Sequence, residues 1–142
     1  MMIIHELSHI MRKAMTEKSR ELFGTEVSRD IMRELARKDG VTQLDLVKIT
    51  HYAAPSISVS LQKLEECGYV HREPDTVDRR AVRVFITEKG RAADREMFHA
   101  IKEFDRTTMI GISEETRALL IKTLLTMREN VLPKGENETE HS

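Results

Sequence analysis

The chain has 142 residues, with 23 basic against 24 acidic side chains, a net charge of −1 with histidines neutral, and a hydrophobic fraction of 39%. That length suits one domain, or one small domain with an interaction element. The balanced charge excludes an indiscriminate, histone-like coat for DNA, yet leaves room for a local basic site, because counterion release depends on the phosphates actually contacted. Two Tyr and four Phe are too few for a single-strand stacking surface, and a single Cys excludes an intrachain disulfide or a multi-cysteine metal site. No stretch approaches the ~20 apolar residues of a membrane span or the pattern of a signal peptide, so a cytoplasmic location with no membrane partner is expected.

From Met1 to about Phe23 one helical pattern places Ile3, Leu7, Ile10, Met11 and Ala14 on a shared stripe that must be buried against something. His5 and His9 are four apart, with His99 a conceivable third ligand, but imidazoles on a surface helix are usually not ligands and no metal is expected. Gly24-Thr25 breaks the pattern, Thr25 suits an N-cap, and Val27, Ile31, Met32 and Leu35 line a second helix ending at Lys38-Asp39-Gly40. Thr42 with Asp45 forms a variant capping box that opens a short helix carrying Leu44, Leu46 and Val47.

After a connection at Thr50–Ala54, which lacks the glycine often seen in tight turns, comes the helix on which the chain is organised. Pro55 suits its first turn and Gly68 the left-handed position past its end. Ile57, Leu61 and Leu64 recur on one face, while Ser56, Val59, Gln62 and Lys63 lie opposite. No charged residue falls between Ala53 and Gln62, although 33% of the chain is charged. Small hydroxyls, an amide and one lysine can approach base edges without carboxylates repelling phosphate. Short helix, connection, second helix is helix-turn-helix spacing.

Tyr69–Glu73 and Ala81–Ile86 read as two strands around the polar loop Pro74–Arg80, with Val82, Val84 and Ile86 alternating against Arg83 and Phe85. The hairpin fits a solvated loop. Beside a recognition helix it also fits a minor-groove probe, with Arg79 and Arg80 at the tip and Asp78 able to brace one of them. Thr87–Gly90 opens a long helix to about Met109, with Ala93, Met97, Ile101 and Phe104 on one side. Ser113 caps a last helix with Glu114 and Glu115 in its first turn and a broad apolar face of Leu119, Leu120, Leu124 and Met127. From Pro133 onward no apolar period remains, and residues 133–142 are expected to be disordered.

The expected fold is mainly α with a small β-wing. A winged helix-turn-helix would span residues 24–90 and a long connecting helix residues 88–109. A helical dimerisation region would be formed by both termini, residues 1–23 and 105–132. Pairing the terminal helices between two copies would bury their stripes and set two recognition helices about one DNA turn, roughly 34 Å, apart on an inverted repeat. An internally packed helical domain is the alternative.

The run Leu64-Glu65-Glu66-Cys67-Gly68-Tyr69-Val70, followed by Asp78-Arg79-Arg80 and Phe85-Ile86-Thr87-Glu88-Lys89-Gly90, resembles the MarR family of dimeric winged-helix transcriptional regulators. The resemblance extends from Met1 to about Leu132. It implies sequence-specific binding to double-stranded DNA as a homodimer, with small aromatic acids, phenols, oxidants or metals relieving it in various relatives. By position it assigns Ser56, Ser58, Val59, Gln62 and Lys63 to the groove, Arg79 and Arg80 to the wing tip, and Asp78 to wing support. It puts the ligand cleft near the first two helices and the start of the Glu88–Met109 helix, where Met11, Met15 and Phe98 fit lining and core equally well.

Two departures stand out. Many relatives carry arginine where this chain has Val59, which can meet a thymine methyl but neither phosphate nor guanine. Peroxide-sensing relatives use a first-helix cysteine, absent here, and Cys67 is expected to be packed rather than a sensor. The expected function is thus a ligand-responsive repressor that uses no cofactor and is not an enzyme, since no nucleophile–base set or phosphate loop is present. The rival reading is a winged helix that pairs with another protein through the neutral face Pro55–Lys63.

Overall fold

A computed structural model describes residues 1–132; the segment from Pro133, expected to be disordered, lies outside the described residues. The elements in chain order are α1 (Met2–Phe23), α2 (Glu26–Arg37), β1 (Val41–Thr42), α3 (Gln43–Thr50), α4 (Ala54–Glu66), β2 (Val70–Pro74), β3 (Val82–Ile86), α5 (Glu88–Thr108) and α6 (Glu114–Val131). Two compact units result, Met1–Phe104 and Asp105–Ser142, the second described as far as Leu132.

Three caps act where the residue types called for them. Thr25 Oγ1 accepts the Ser28 amide at 3.1 Å, and Ser113 Oγ accepts that of Thr116 at 3.2 Å. At α3 the reciprocal box is complete: Thr42 Oγ1 accepts from Asp45 N at 3.0 Å while Asp45 Oδ2 accepts from Thr42 N at 3.1 Å. The Thr42 contacts hold the Asp45 carboxyl below its ordinary pKa.

The core of the first unit is where the stripes of α2, α3 and α4 converge on the sheet. Ile31, Met32, Leu35, Leu46, Ile57, Leu61 and Val84 are all 0% exposed. Each such side chain contributes about 2 kcal/mol by leaving water, which makes the inward face of α4 the part least free to change. The sheet is antiparallel with order β1-β3-β2. β1 extends the expected two-stranded wing to three strands. It pairs Val41 with Val84 and Thr42 with Arg83, a bridge too short to leave a two-residue period in the sequence.

The end of α4 is fastened by backbone groups. Tyr69 N donates to Leu64 O at 2.9 Å and Gly68 N to Glu65 O at 2.9 Å, with Gly68 at φ 77° as its position past the helix end required. The next three carbonyls are then taken by the start of α5. Lys89 Nζ donates to Cys67 O at 2.7 Å, Thr87 Oγ1 to Gly68 O at 2.5 Å, and Thr87 N to Tyr69 O at 2.9 Å. Thr87 Oγ1 also accepts from Gly90 N at 3.0 Å.

Here the expectation for Cys67 is corrected: its side chain is exposed. Cys67 caps α4, off the Ile57–Leu61–Leu64 stripe, so what this position contributes to the junction is its carbonyl.

In the second unit, Arg117 ties the α5–α6 turn by donating from Nε to Ile112 O at 3.2 Å and from Nη2 to Met109 O at 3.0 Å. No residue of α6 is buried. On α1, Ile3, Leu7, Ile10 and Met11 are likewise exposed. No helix among the described residues is long and apolar enough to cross a membrane.

Gly90 is the tightest point of the junction. A Cβ there would overlap the Tyr69 carbonyl oxygen and press on Ile86 and Met32. Gly90→Ala should therefore lower the unfolding free energy by about 2 kcal/mol, measured by urea denaturation; an unchanged midpoint would show that the junction yields.

Candidate nucleic-acid interface

α4 is entered through a turn in which His51, at φ 59° and ψ 13°, takes the left-handed conformation that glycine supplies more often. Ser56 N and Ile57 N then donate to Ala53 O at 2.9 and 3.1 Å. With Ile57, Ser60, Leu61 and Leu64 buried, the opposite face is presented outward. Ser56, Val59, Gln62 and Lys63 are exposed, Val59 by 53%, and Ser58 is half-buried. Gln62 is already engaged, its Nε2 donating to Glu66 Oε1 at 3.2 Å. Reading a base edge with this amide means exchanging that bond, and Glu66 is the one carboxylate beside it on the outer face.

The C-terminal half of α4 is tied to the wing by Glu65. Its Oε1 accepts from Arg72 N at 3.0 Å, and its Oε2 accepts from Arg72 Nε and Nη2 at 3.0 and 2.7 Å. Hydrogen bonding from the Arg72 side chain is the largest cause of the lowered Glu65 pKa.

At the wing tip, Arg79 and Arg80 are exposed. Asp78 Oδ1 accepts from Arg80 N at 3.1 Å and lies 3.6 Å from Arg80 Nε, a loose pair on a side chain 96% exposed. The tighter brace is Asp75, which is buried. Its Oδ1 accepts from Arg83 Nε at 2.6 Å and its Oδ2 from Asp78 N at 3.2 Å. Arg83 Nη1 reaches on to Gly40 O at 2.6 Å. One guanidinium thus joins the wing loop to the turn before β1.

Of the open clefts within the first unit, two are large. One, of about 400 Å³, is lined by residues from α3 and the wing root, including Gln43, Leu44, Asp78 and Arg80. The other, of about 380 Å³, has an apolar lining of Met15, Phe23, Met97, Phe98 and Ile101, with Arg29, Arg33 and Asp94 as its charged groups. Burial raises the Asp94 pKa. Met15 and Phe98 were named from sequence; Met11 is exposed and is not part of this lining. No three His, Cys, Asp or Glu side chains among the described residues converge as a metal site would need.

Comparison with known proteins agrees with this arrangement. Residues 27–81 match the model of the MarR family. A MarR transcriptional regulator from Methanosarcina mazei Go1 shares 25% identity, with 90% of this chain and 86% of that one covered at a TM-score of 0.64. Over residues 27–81 the chain is similar to the MarR family. The Staphylococcus aureus MepR–DNA complex superposes at TM-score 0.76 with 23% identity over 90% of this chain and 96% of that one. YusO from Bacillus subtilis superposes at 0.82 with 14% identity over 92% of each chain. These last two likenesses are of fold.

Within this winged module the residues that sequence reasoning missed are Asp75, Arg83, Glu65 and Arg72. Asp75 and Arg83 are diagonal neighbours across the hairpin, since Asp75 N donates to Ala81 O at 2.9 Å. The signal was available once the hairpin register was known, but a seven-residue polar loop does not reveal its register.

Asp75→Asn should free the wing, raising amide exchange at Asp78 and Ala81 while leaving α2 protected. The pH dependence has a definite sign. Arg83 holds the Asp75 carboxyl below its ordinary 3.8, so the brace is complete above that value and is lost only as pH falls through the lowered one. Nuclear magnetic resonance titration should show a wing transition in acid that the Asn variant lacks.

Proposed function

We propose that this chain is a MarR-family homodimeric transcriptional regulator that binds double-stranded DNA by sequence and represses until a small aromatic or phenolic effector releases it. The observation that carries the reading is the outward face of α4, charge-free from Ala53 to Gln62, next to a braced hairpin ending in Arg79 and Arg80. MepR, whose fold the chain shares, has been captured on DNA. On this reading Ser56, Ser58, Val59, Gln62 and Lys63 meet the major groove, and Arg79 and Arg80 probe the minor groove with Asp78 supporting the tip. Val59 favours a thymine methyl, so the operator is A·T-biased.

Residues 24–90 then form the DNA-binding domain, residues 88–109 the connecting helix, and residues 1–23 and 105–132 the dimerisation region. What supports the dimer is exposed apolar surface: Ile3, Leu7 and Ile10 on α1 and Leu119, Ile121 and Leu124 on α6. A two-fold pair presents its recognition helices one DNA turn apart, roughly 34 Å, to an inverted repeat. The cleft lined by Met15, Phe23 and Phe98 is the proposed effector site, acting by the difference in its affinity for the two helix spacings.

The test is operator selection from a random duplex pool, followed by salt titration. Arg80→Ala should weaken binding on every sequence and reduce the salt slope by about one unit, whereas Gln62→Ala should change the preferred base at one position in each half-site. Equal loss on all sequences from Gln62→Ala would reduce that residue to positioning, and failure to select any duplex would favour a protein-docking winged helix. Sedimentation should give twice the chain mass; single chains would overturn the dimer.

A further inference from the structure

One carboxylate on α2 divides its two oxygens between the cleft and the recognition helix. Asp30 Oδ1 accepts from Arg29 Nε and Nη2 at 3.2 and 3.0 Å and lies 3.6 Å from Arg33 Nη2. Asp30 Oδ2 accepts from the Tyr52 hydroxyl at 2.9 Å. Arg29 and Arg33 line the apolar cleft, while Tyr52 stands in the turn immediately before α4.

That turn has little else to define it. Ala53, the N-cap of α4, offers no side-chain cap, and the preceding His51 is held in the left-handed region. Tyr52 packs its ring against the core and ties its hydroxyl to a carboxylate whose side chain is only 16% exposed. A hydrogen bond to an ionised acceptor in such a place is stronger than one between neutral partners. The bond raises the Tyr52 pKa, consistent with a hydroxyl that keeps its proton to donate.

We propose that Asp30 is a positioning residue for DNA binding: steadied on one oxygen by Arg29 and Arg33, it anchors Tyr52 with the other and so sets how the chain enters the recognition helix. An anion with an apolar body, seated in the cleft, competes for the same two guanidinium groups. The Arg33 side chain is 68% exposed, and an ion pair so open to water is weak enough to exchange. Drawing the arginines away leaves Asp30 free to turn and loosens the first turn of α4. Only the identity of the occupant rests on the effector site proposed above; the anchorage does not.

The experiment reads amide hydrogen exchange at Ser56 and Ile57, the donors of that first turn, in the full chain without DNA. Tyr52→Phe keeps the ring and removes the hydroxyl. It should speed exchange at these two amides about tenfold while leaving α2 unchanged. Asp30→Asn should do the same, and the paired Arg29→Gln/Arg33→Gln variant should reproduce part of the effect. Combining Tyr52→Phe with the arginine pair should add nothing further, because both act on one link. Unchanged exchange in Tyr52→Phe, fully additive effects, or acceleration spread over the whole fold would each overturn the proposal.

Operator titration supplies the functional arm. Tyr52→Phe should lower affinity about tenfold and blunt the release caused by salicylate, the probe anion. If Tyr52→Phe binds operator as tightly as the parent and salicylate releases both equally, the link is overturned whatever its effect on exchange. If the parent chain binds no operator, it is the DNA-binding reading that fails, and the exchange pattern still decides the anchorage.

Discussion

The structure depends on three consecutive carbonyls. Those of Cys67, Gly68 and Tyr69 emerge past the end of α4 and accept hydrogen bonds from Lys89 Nζ, Thr87 Oγ1 and Thr87 N. A helix end leaves orphan acceptors that water or protein must satisfy. Here the protein satisfies them with the opening residues of the next helix, so the direction of α4 is tied to that of α5. The same few residues need Gly90, because the Tyr69 carbonyl occupies the space of a Cβ. Two of the three stretches that carry the family resemblance, Leu64–Val70 and Phe85–Gly90, are therefore the two sides of one joint. They touch each other, and of the outward face of α4 they supply only Glu66.

This accounts for how much could be read in advance. Local chemistry was legible: Thr25, Thr42 and Ser113 cap their helices because a short hydroxyl at those positions lies within reach of the backbone N–H three residues on. The inward stripe of α4 was legible because Ile57, Leu61 and Leu64 repeat with the helix. What stayed hidden was pairing between distant positions. β1 is only two residues long and exists because Val41 meets Val84. Arg83 read as the polar side of an alternating strand, and nothing local shows that it spans Asp75 and Gly40. Tyr52 and Asp30 are remote in sequence and meet through the packing of α2 on the turn before α4. Cys67 was misjudged for a related reason: its neighbours in sequence are packed, but the cap position turns its side chain out.

Charge organisation follows the same division. The chain carries nearly equal numbers of acids and bases, yet the acids nearest the proposed DNA surface are mostly occupied. Asp75 is neutralised by Arg83 and Glu65 by Arg72. Each of these arginines does structural work that leaves Arg79, Arg80 and Lys63 as the exposed cations of the wing tip and α4. A net charge of −1 thus says little about the field over α4. Glu66 and the loosely paired Asp78 are exceptions, and the bond of Glu66 to Gln62 means that a groove must compete for the amide before reading with it.

If the chain acts as proposed, that competition bears on how it gains specificity. An outer face made of Ser56, Val59 and Gln62 offers short side chains and little charge, so close fit has to replace strong individual contacts. Close fit demands that α4 be held within a fraction of an ångström of its productive position, on the order of 0.5 Å. The carbonyl joint fixes the far end of the helix, Glu65–Arg72 fixes its flank, and Tyr52–Asp30 fixes its entry. Of the three, only the last reaches a cleft open to solvent. On the proposed reading, a scaffold rigid at two points and adjustable at the third would lose DNA without unfolding, because a shift at the entry would move the reading face while the core under Ile57 and Leu61 stays packed.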